Sequence, residues 1–395
     1  MQSDQSESRK WPNLLLFTIS LIPIILFVFV FMQRAAYPFD LEWAEGAAVN
    51  QVNHILSGKA LYNAPSLSFA PLVYTPLYHY LAAGLSHLVG VGFLPLRIIS
   101  IICSLGSGLL IFLIVRKETG NPLLAWISGA FFLACFELSD GFFDLARVDS
   151  EFIFVILLGL FICIQTKNRW GDLLVVFVFI AAFFVKQSAV IVFLPLVIGL
   201  VWVNYRRYWF LLVVFAIGIV LPWIFIDRMT GGLFSFYTLA LPRLHGYSIL
   251  SAANFWIGDI AKPLGIAIGF SVLWILGILR TWRENSSSLE NNNRDQSNLV
   301  ILIDPQAKDL SSIGKILLFI VGAITAAWIT RASNGGGANN VMAAYAAISL
   351  SLGLGVEFSK RIVIGHREGN LLSFNLGELK RSPHPLHFRT KNLPG

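Results

Sequence analysis

Cysteine is scarce in this chain. The three present (Cys103, Cys135, Cys163) lie in or near apolar blocks with no C-x-x-C spacing, so neither a disulfide framework nor a zinc site is supported. Charge is scarce as well. Only 13% of the 395 residues are charged, and no run of five basic residues occurs, so the formal net charge of +7 does not point to nucleic acid. The nucleotide-binding pattern G-x-x-x-x-G-K-[ST] is missing, and no internal repeat of fixed period is visible. A removable leader is lacking too: the first apolar block, Leu14 to Met32, has no small-residue cleavage site after it and reads as a retained helix.

What the chain has instead is apolar length. Hydrophobic residues make up 56% of it, and the mean hydropathy of +0.71 exceeds what one water-soluble core can bury. The excess comes in blocks near the length that spans a bilayer. Ten spans are expected, near 13–32, 98–115, 122–138, 151–166, 172–186, 189–204, 208–226, 262–280, 314–330 and 340–358, each ended by charged, Gly or Pro residues. The fold class is therefore an all-α polytopic membrane protein. The piece YTPLYHYLAAGLSHLVG (74–90) is ambiguous, and positive charge decides its placement. If it does not cross, the clusters RKETG, TKNRW, NYRRYW, TWREN and SKR all share a side with Arg9 and Lys10, as the positive-inside bias requires. Residues 33–97 then form one long outer loop with helices resting on the membrane. Residues 1–358 are read as one membrane domain with an inside linker at 281–313, and 359–395 as a polar tail.

With that parity, the remaining outer segments are 139–150, 186–188, 227–261 and 331–339, and they hold the unusual polar residues. YPFDLEWAEGAAVN (37–50) brings Asp40, Glu42 and Glu45 to a helix start, where carboxylates suit the macrodipole. Three together near a membrane surface also suit a general base, because a water-poor cleft raises a carboxylate toward a useful pKa. DLARVDS supplies Asp144, Arg147 and Asp149, with Glu151 next. These residues read either as an interfacial ion-pair set or as a phosphate site in which Arg147 binds the oxyanion and Asp149 orients it. Lys186, beside Gln187, interrupts an apolar run and is either a site residue or a snorkelling cation. RASNGGGANNVMAAY offers Arg331, three glycines, Asn339 and Asn340, a set suited to an anion. His54, His79 and His87 lack metal-ligand spacing and are assigned packing or interface roles.

The order YPFDLEWAEG, LSGKALY, YTPLYHYLAA, LRIIS, LIVRKETG resembles the N-terminal half of the membrane-embedded GT-C glycosyltransferases, in the branch of protein O-mannosyltransferases and the lipid A aminoarabinose transferase. KQS and the glycine-asparagine segment resemble later signatures of the same branch. The resemblance implies a glycosyltransferase of the cell membrane that takes a hexose or pentose from a polyprenyl-phosphate carrier. It would transfer the sugar with inversion, on the outer face, to an acceptor hydroxyl, with no cofactor. It implies Asp40 as base, with Glu45 matching the Glu of the Asp-Glu-Gly signature. Ala44 stands where the Asp of that signature would be, which leaves Asp40 or Glu42 to supply the acid. The physical reading agrees: Arg147, Lys186 and Arg331 are the cations for a lipid phosphate, with Asp149, Gln187, Asn339 and Asn340 in support. Resembling enzymes run on past the tenth span, whereas this chain turns polar after 358, so a natural short form and a truncated one are both open. A lipid-linked sugar transporter and an inactive scaffold are the competing classes.

Overall fold

In the computed structural model, residues 2–67, 69–290, 303–304 and 309–367 are described. The chain begins with α1 (Gln2–Arg34), α2 (Glu45–Leu56), α3 (Leu77–Val89), α4 (Phe93–Thr119), α5 (Pro122–Ala134), α6 (Asp149–Cys163), α7 (Arg169–Val185), α8 (Ala189–Val203) and α9 (Tyr205–Met229). Three short helical pieces follow, α10 (Leu233–Ser235), α11 (Leu241–Leu244) and α12 (Ile249–Asn254), interleaved with wide π-type turns. Then come α13 (Lys262–Glu290), a two-residue hairpin β1 (Ile303–Asp304) and β2 (Asp309–Leu310), α14 (Ser312–Arg331) and α15 (Met342–Arg367).

Local chemistry sets these boundaries. Asn121 caps α5 by accepting from the Leu124 N–H, with Pro122 in the first turn. Asn168, Asn204 and Ser311 cap α7, α9 and α14 in the same way. Gly120 closes α4 at φ +70, a left-handed position that glycine occupies without a Cβ penalty. Lys186 and Gln187 lie between α7 and α8, as the KQS turn requires.

Each expected span coincides wholly or in part with a helix. Among the described residues, seven stretches are long and apolar enough to cross a membrane by length and composition, and the protein is an integral membrane protein. Helices α6, α7 and α8, of 15, 17 and 15 residues, are shorter than that measure requires. The ambiguous piece becomes α3, whose 13 residues extend only about 20 Å, short of the roughly 30 Å hydrocarbon layer. The first loop is thus long and helical, as expected. The linker begins later than expected, because α13 runs on to Glu290. Residues 291–302 and 305–308, and the tail beyond 367, lie outside the described residues.

The bundle is organised around α15, most of whose apolar residues are buried. Its small residues, Ala343, Ala344, Ala346 and Ala347, make that possible by letting neighbouring backbones approach closely. α13 and α14 pack against it, α14 against α8, and α4 between α5 and α6. By contrast, the apolar stretches of α1 and α9 are mostly left uncovered by the rest of the protein.

Candidate active site

Four sequence-distant segments meet at one end of this bundle, and a fully buried arginine holds the first of them. Arg97, in the first turns of α4, has all five N–H donors engaged. Its Nε and Nη2 donate to Glu45 at 3.1 and 2.7 Å, and its Nη atoms also donate to the carbonyls of Arg34, Tyr37 and Phe39. The segment 34–45 is therefore wrapped around one guanidinium. Glu45 accepts two further bonds, from the N–H groups of Leu41 and Ala146. Burial alone would raise its carboxyl, but these donors outweigh burial and hold it below the usual carboxylate range. Its lone pairs are committed to structure.

Glu42 faces a different partner. It accepts from the Ala44 N–H at 3.1 Å and from Arg147 Nη1 at 2.7 Å. Arg147 also donates to the Tyr74 hydroxyl at 2.7 Å and lies over the rings of Tyr74 and Phe142. Burial works against its charge, yet Tyr74, Asp149 and Glu42 together keep the guanidinium firmly protonated. Asp149 takes 2.7 Å and 3.0 Å bonds from Lys186 Nζ and Asn339, and Lys186 also donates to Asn340 at 3.0 Å. Arg147 Nε and Asp149 Oδ2 stand 3.7 Å apart, and neither makes a hydrogen bond. A small cavity of about 10 Å³, room for about one water, opens beside Asp149, Lys186, Asn339 and Asn340. Glu42, Arg147, Asp149, Lys186, Asn339 and Asn340 thus form one continuous polar chain.

Asp40 occupies the rim. It is exposed and makes no hydrogen bond or ion pair among the described residues. Its carboxylate lies over Gly46, where a Cβ would come within 2.8 Å of Oδ1, so the glycine after Glu45 makes room for it.

The sequence-expected residues divide by place. Lys186 does not snorkel, since its side chain is 9% exposed and paired. Gln187 donates to the carbonyls of Val73 and Thr238 and ties the first loop to the 227–261 segment. Arg331 stands outside the polar chain, paired with Asp259 at 2.7 Å and donating to the Gly336 carbonyl. His79 is buried with both ring nitrogens unpartnered; burial and then Arg147 push it down to about 3, so it is neutral. His54 stacks on Phe69 at 3.5 Å. Among the described residues, no group of three His, Cys, Asp or Glu is arranged to hold a metal. Arg97 and Tyr74 escaped sequence reasoning. The one available signal for Arg97 was a lone arginine opening an apolar run.

Comparison with known proteins follows the same lines. The family model of dolichyl-phosphate-mannose-protein mannosyltransferases matches residues 73–226. Two solved structures of ArnT from Cupriavidus metallidurans share the fold. The one bound to undecaprenyl phosphate has a TM-score of 0.54 at 11% identity over 87% of this chain. The apo one has a TM-score of 0.55 at 11% identity over 86%. The chain spans 62% of the length of each. No curated protein sequence matches it. The resemblance read from the sequence is borne out: residues 73–226 match the mannosyltransferase model, and the chain shares the fold of ArnT.

Proposed function

We propose that the protein transfers a hexose or pentose from a polyprenyl-phosphate carrier to an acceptor hydroxyl at the outer face of the cell membrane, with inversion at the anomeric carbon. The observation that carries this reading is the meeting of two buried cations, Arg147 and Lys186, at Asp149, with Arg147 paired to Glu42, two residues along the chain from an exposed and unpaired Asp40. The acceptor oxygen attacks the anomeric carbon while the bond from that carbon to the carrier phosphate breaks. Asp40 takes the hydroxyl proton, and the departing phosphate gains charge that Arg147 and Lys186 offset. Glu42 is less suited to the base role because Arg147 already stabilises its charge, and Glu45 because Arg97 and two backbone N–H groups occupy its oxygens. Both orient the loop that presents Asp40.

The test uses purified protein in detergent with a labelled polyprenyl-phosphate sugar, reading release of polyprenyl phosphate. Asp40→Asn retains size but cannot accept a proton, so turnover should fall by roughly 10²- to 10⁴-fold with carrier affinity little changed. If Asp40→Asn leaves most of the turnover and Glu42→Gln removes it, the base is Glu42. Tight carrier binding without any turnover on offered acceptors would favour a transporter of lipid-linked sugars.

A further inference from the structure

Asp144 lies three residues before Arg147 in the segment joining α5 to α6, and it differs from every other pin of that segment. Ser100 donates to the Leu145 carbonyl at 2.6 Å, Ser104 to the Phe143 carbonyl at 2.6 Å, and the Ala146 N–H to Glu45 at 2.6 Å. All three are short, buried bonds. The Asp144 side chain is 1% exposed, yet neither of its oxygens accepts a hydrogen bond from another residue among the described ones. Among the described residues its sole ion-pair partner is Arg34, at the end of α1, with Nη1 at 3.4 Å and off the line of a hydrogen bond. The other charged groups that reach it are Glu45 from α2 and Arg97 from α4, and those two are already paired with each other. A carboxylate buried with one loose counter-ion is costly when ionised and cheap when neutral.

We infer that Asp144 is a protonation-sensitive positioning residue for Arg147: neutral, it lets 142–148 lie closed over α4; ionised, it loosens that segment and the guanidinium it carries. The link to carrier binding rests on the proposed function; the link to the segment's own order does not.

The direction follows from the groups present. Burial pushes the Asp144 carboxyl up to about 6, against the pull of Arg34 and Arg97 and with Glu45 adding to the rise. A group raised in the folded protein contributes stability that is complete below its ordinary value, here 3.8, and is lost as pH rises through about 6. Arg34 moderates that loss. Replacing it by a neutral residue should move the transition to higher pH.

Hydrogen exchange of peptides covering 142–148 tests this on the full chain in detergent, comparing wild type with Asp144→Asn at each pH so that intrinsic rates cancel. Between pH 5 and pH 8, wild-type protection should fall relative to Asp144→Asn by about 10-fold, the share of a rise of roughly two pKa units that is lost above pH 5. Undecaprenyl phosphate affinity should carry the same inflection in wild type and lack it in the variant. Arg34→Gln, a second variant that keeps Asp144, should shift the protection inflection upward. Protection ratios that do not change with pH would overturn the inference, as would an Arg34→Gln inflection that stays in place. An inflection in protection with no undecaprenyl phosphate binding at any pH would leave the positioning device standing and sink the proposed function.

Discussion

Arg97 and Glu45 show how one buried pair can shape a loop. The two side chains are fully buried, and the arginine also satisfies three carbonyls of the segment that ends α1. Arg97→Met would strand Glu45 as an uncompensated buried charge, a loss of about 3 to 5 kcal/mol. Adding Glu45→Leu removes the stranded charge, so the double variant should regain part of that stability in thermal unfolding while turnover stays low. The reason is that the carbonyls of Arg34, Tyr37 and Phe39 remain without their donor, and Asp40 loses its fixed place. Full recovery of turnover in the double variant would show that the pair contributes to stability alone. The sequence made Glu45 visible through the Glu-Gly motif but left Arg97 obscure. An arginine at a helix start has the same local appearance whether it snorkels or is enclosed.

At the scale of helices, glycines fix how near two backbones come. A Cβ on Gly322 of α14 would sit 2.4 Å from the Val192 carbonyl oxygen of α8, and one on Gly129 of α5 would sit 2.6 Å from the Gly108 carbonyl oxygen of α4. Backbone cannot step aside as a flexible side chain can. Gly322→Ala should therefore separate α14 from α8 and destabilise the protein by about 1 to 3 kcal/mol, read as a lowered unfolding temperature in detergent. Gly265→Ala, at a glycine with nothing within 4 Å, is the control and should change little. Equal losses in both would mean that the contact does not set the effect, because helix propensity favours Ala over Gly and cannot cause a loss. The same contact also bears on the site. α8 follows the turn that carries Lys186, and α14 leads into the segment that carries Asn339 and Asn340. A wider α8 to α14 spacing should weaken the Lys186 to Asn340 bond.

For the whole molecule, the alternation of long helices puts the polar chain at one end and Arg116, Lys117, Lys167, Arg169, Arg206 and Arg207 at the other. Positive charge is retained on the cytoplasmic side during insertion, so the site end is expected outside. Single cysteines at the exposed positions Lys59 and Leu244 should react with a membrane-impermeant maleimide added to intact cells, and those at Arg116 and Lys167 should react only after permeabilisation. Labelling of residue 116 from outside would invert the orientation of every helix from α4 onward.

Much of this arrangement was settled along the chain itself. Blocks of apolar residues long enough to need lipid, capped by Asn, Ser and Gly, determine where helices form, because backbone satisfaction in a bilayer is local to each helix. The four polar outer segments could be named for the same reason, since a charge beside such a block is costly and conspicuous. Partnership was decided only in three dimensions. Arg147 chose Glu42 across 105 positions of chain, Lys186 chose Asp149 and Asn340, and Arg331 went to Asp259 outside the polar chain. Asp40, Glu42 and Glu45 look alike in sequence, yet one is exposed and free among the described residues, one is paired, and one is enclosed. Ion pairing and desolvation act between atoms a few ångströms apart, and which atoms come that close depends on how the helices cross.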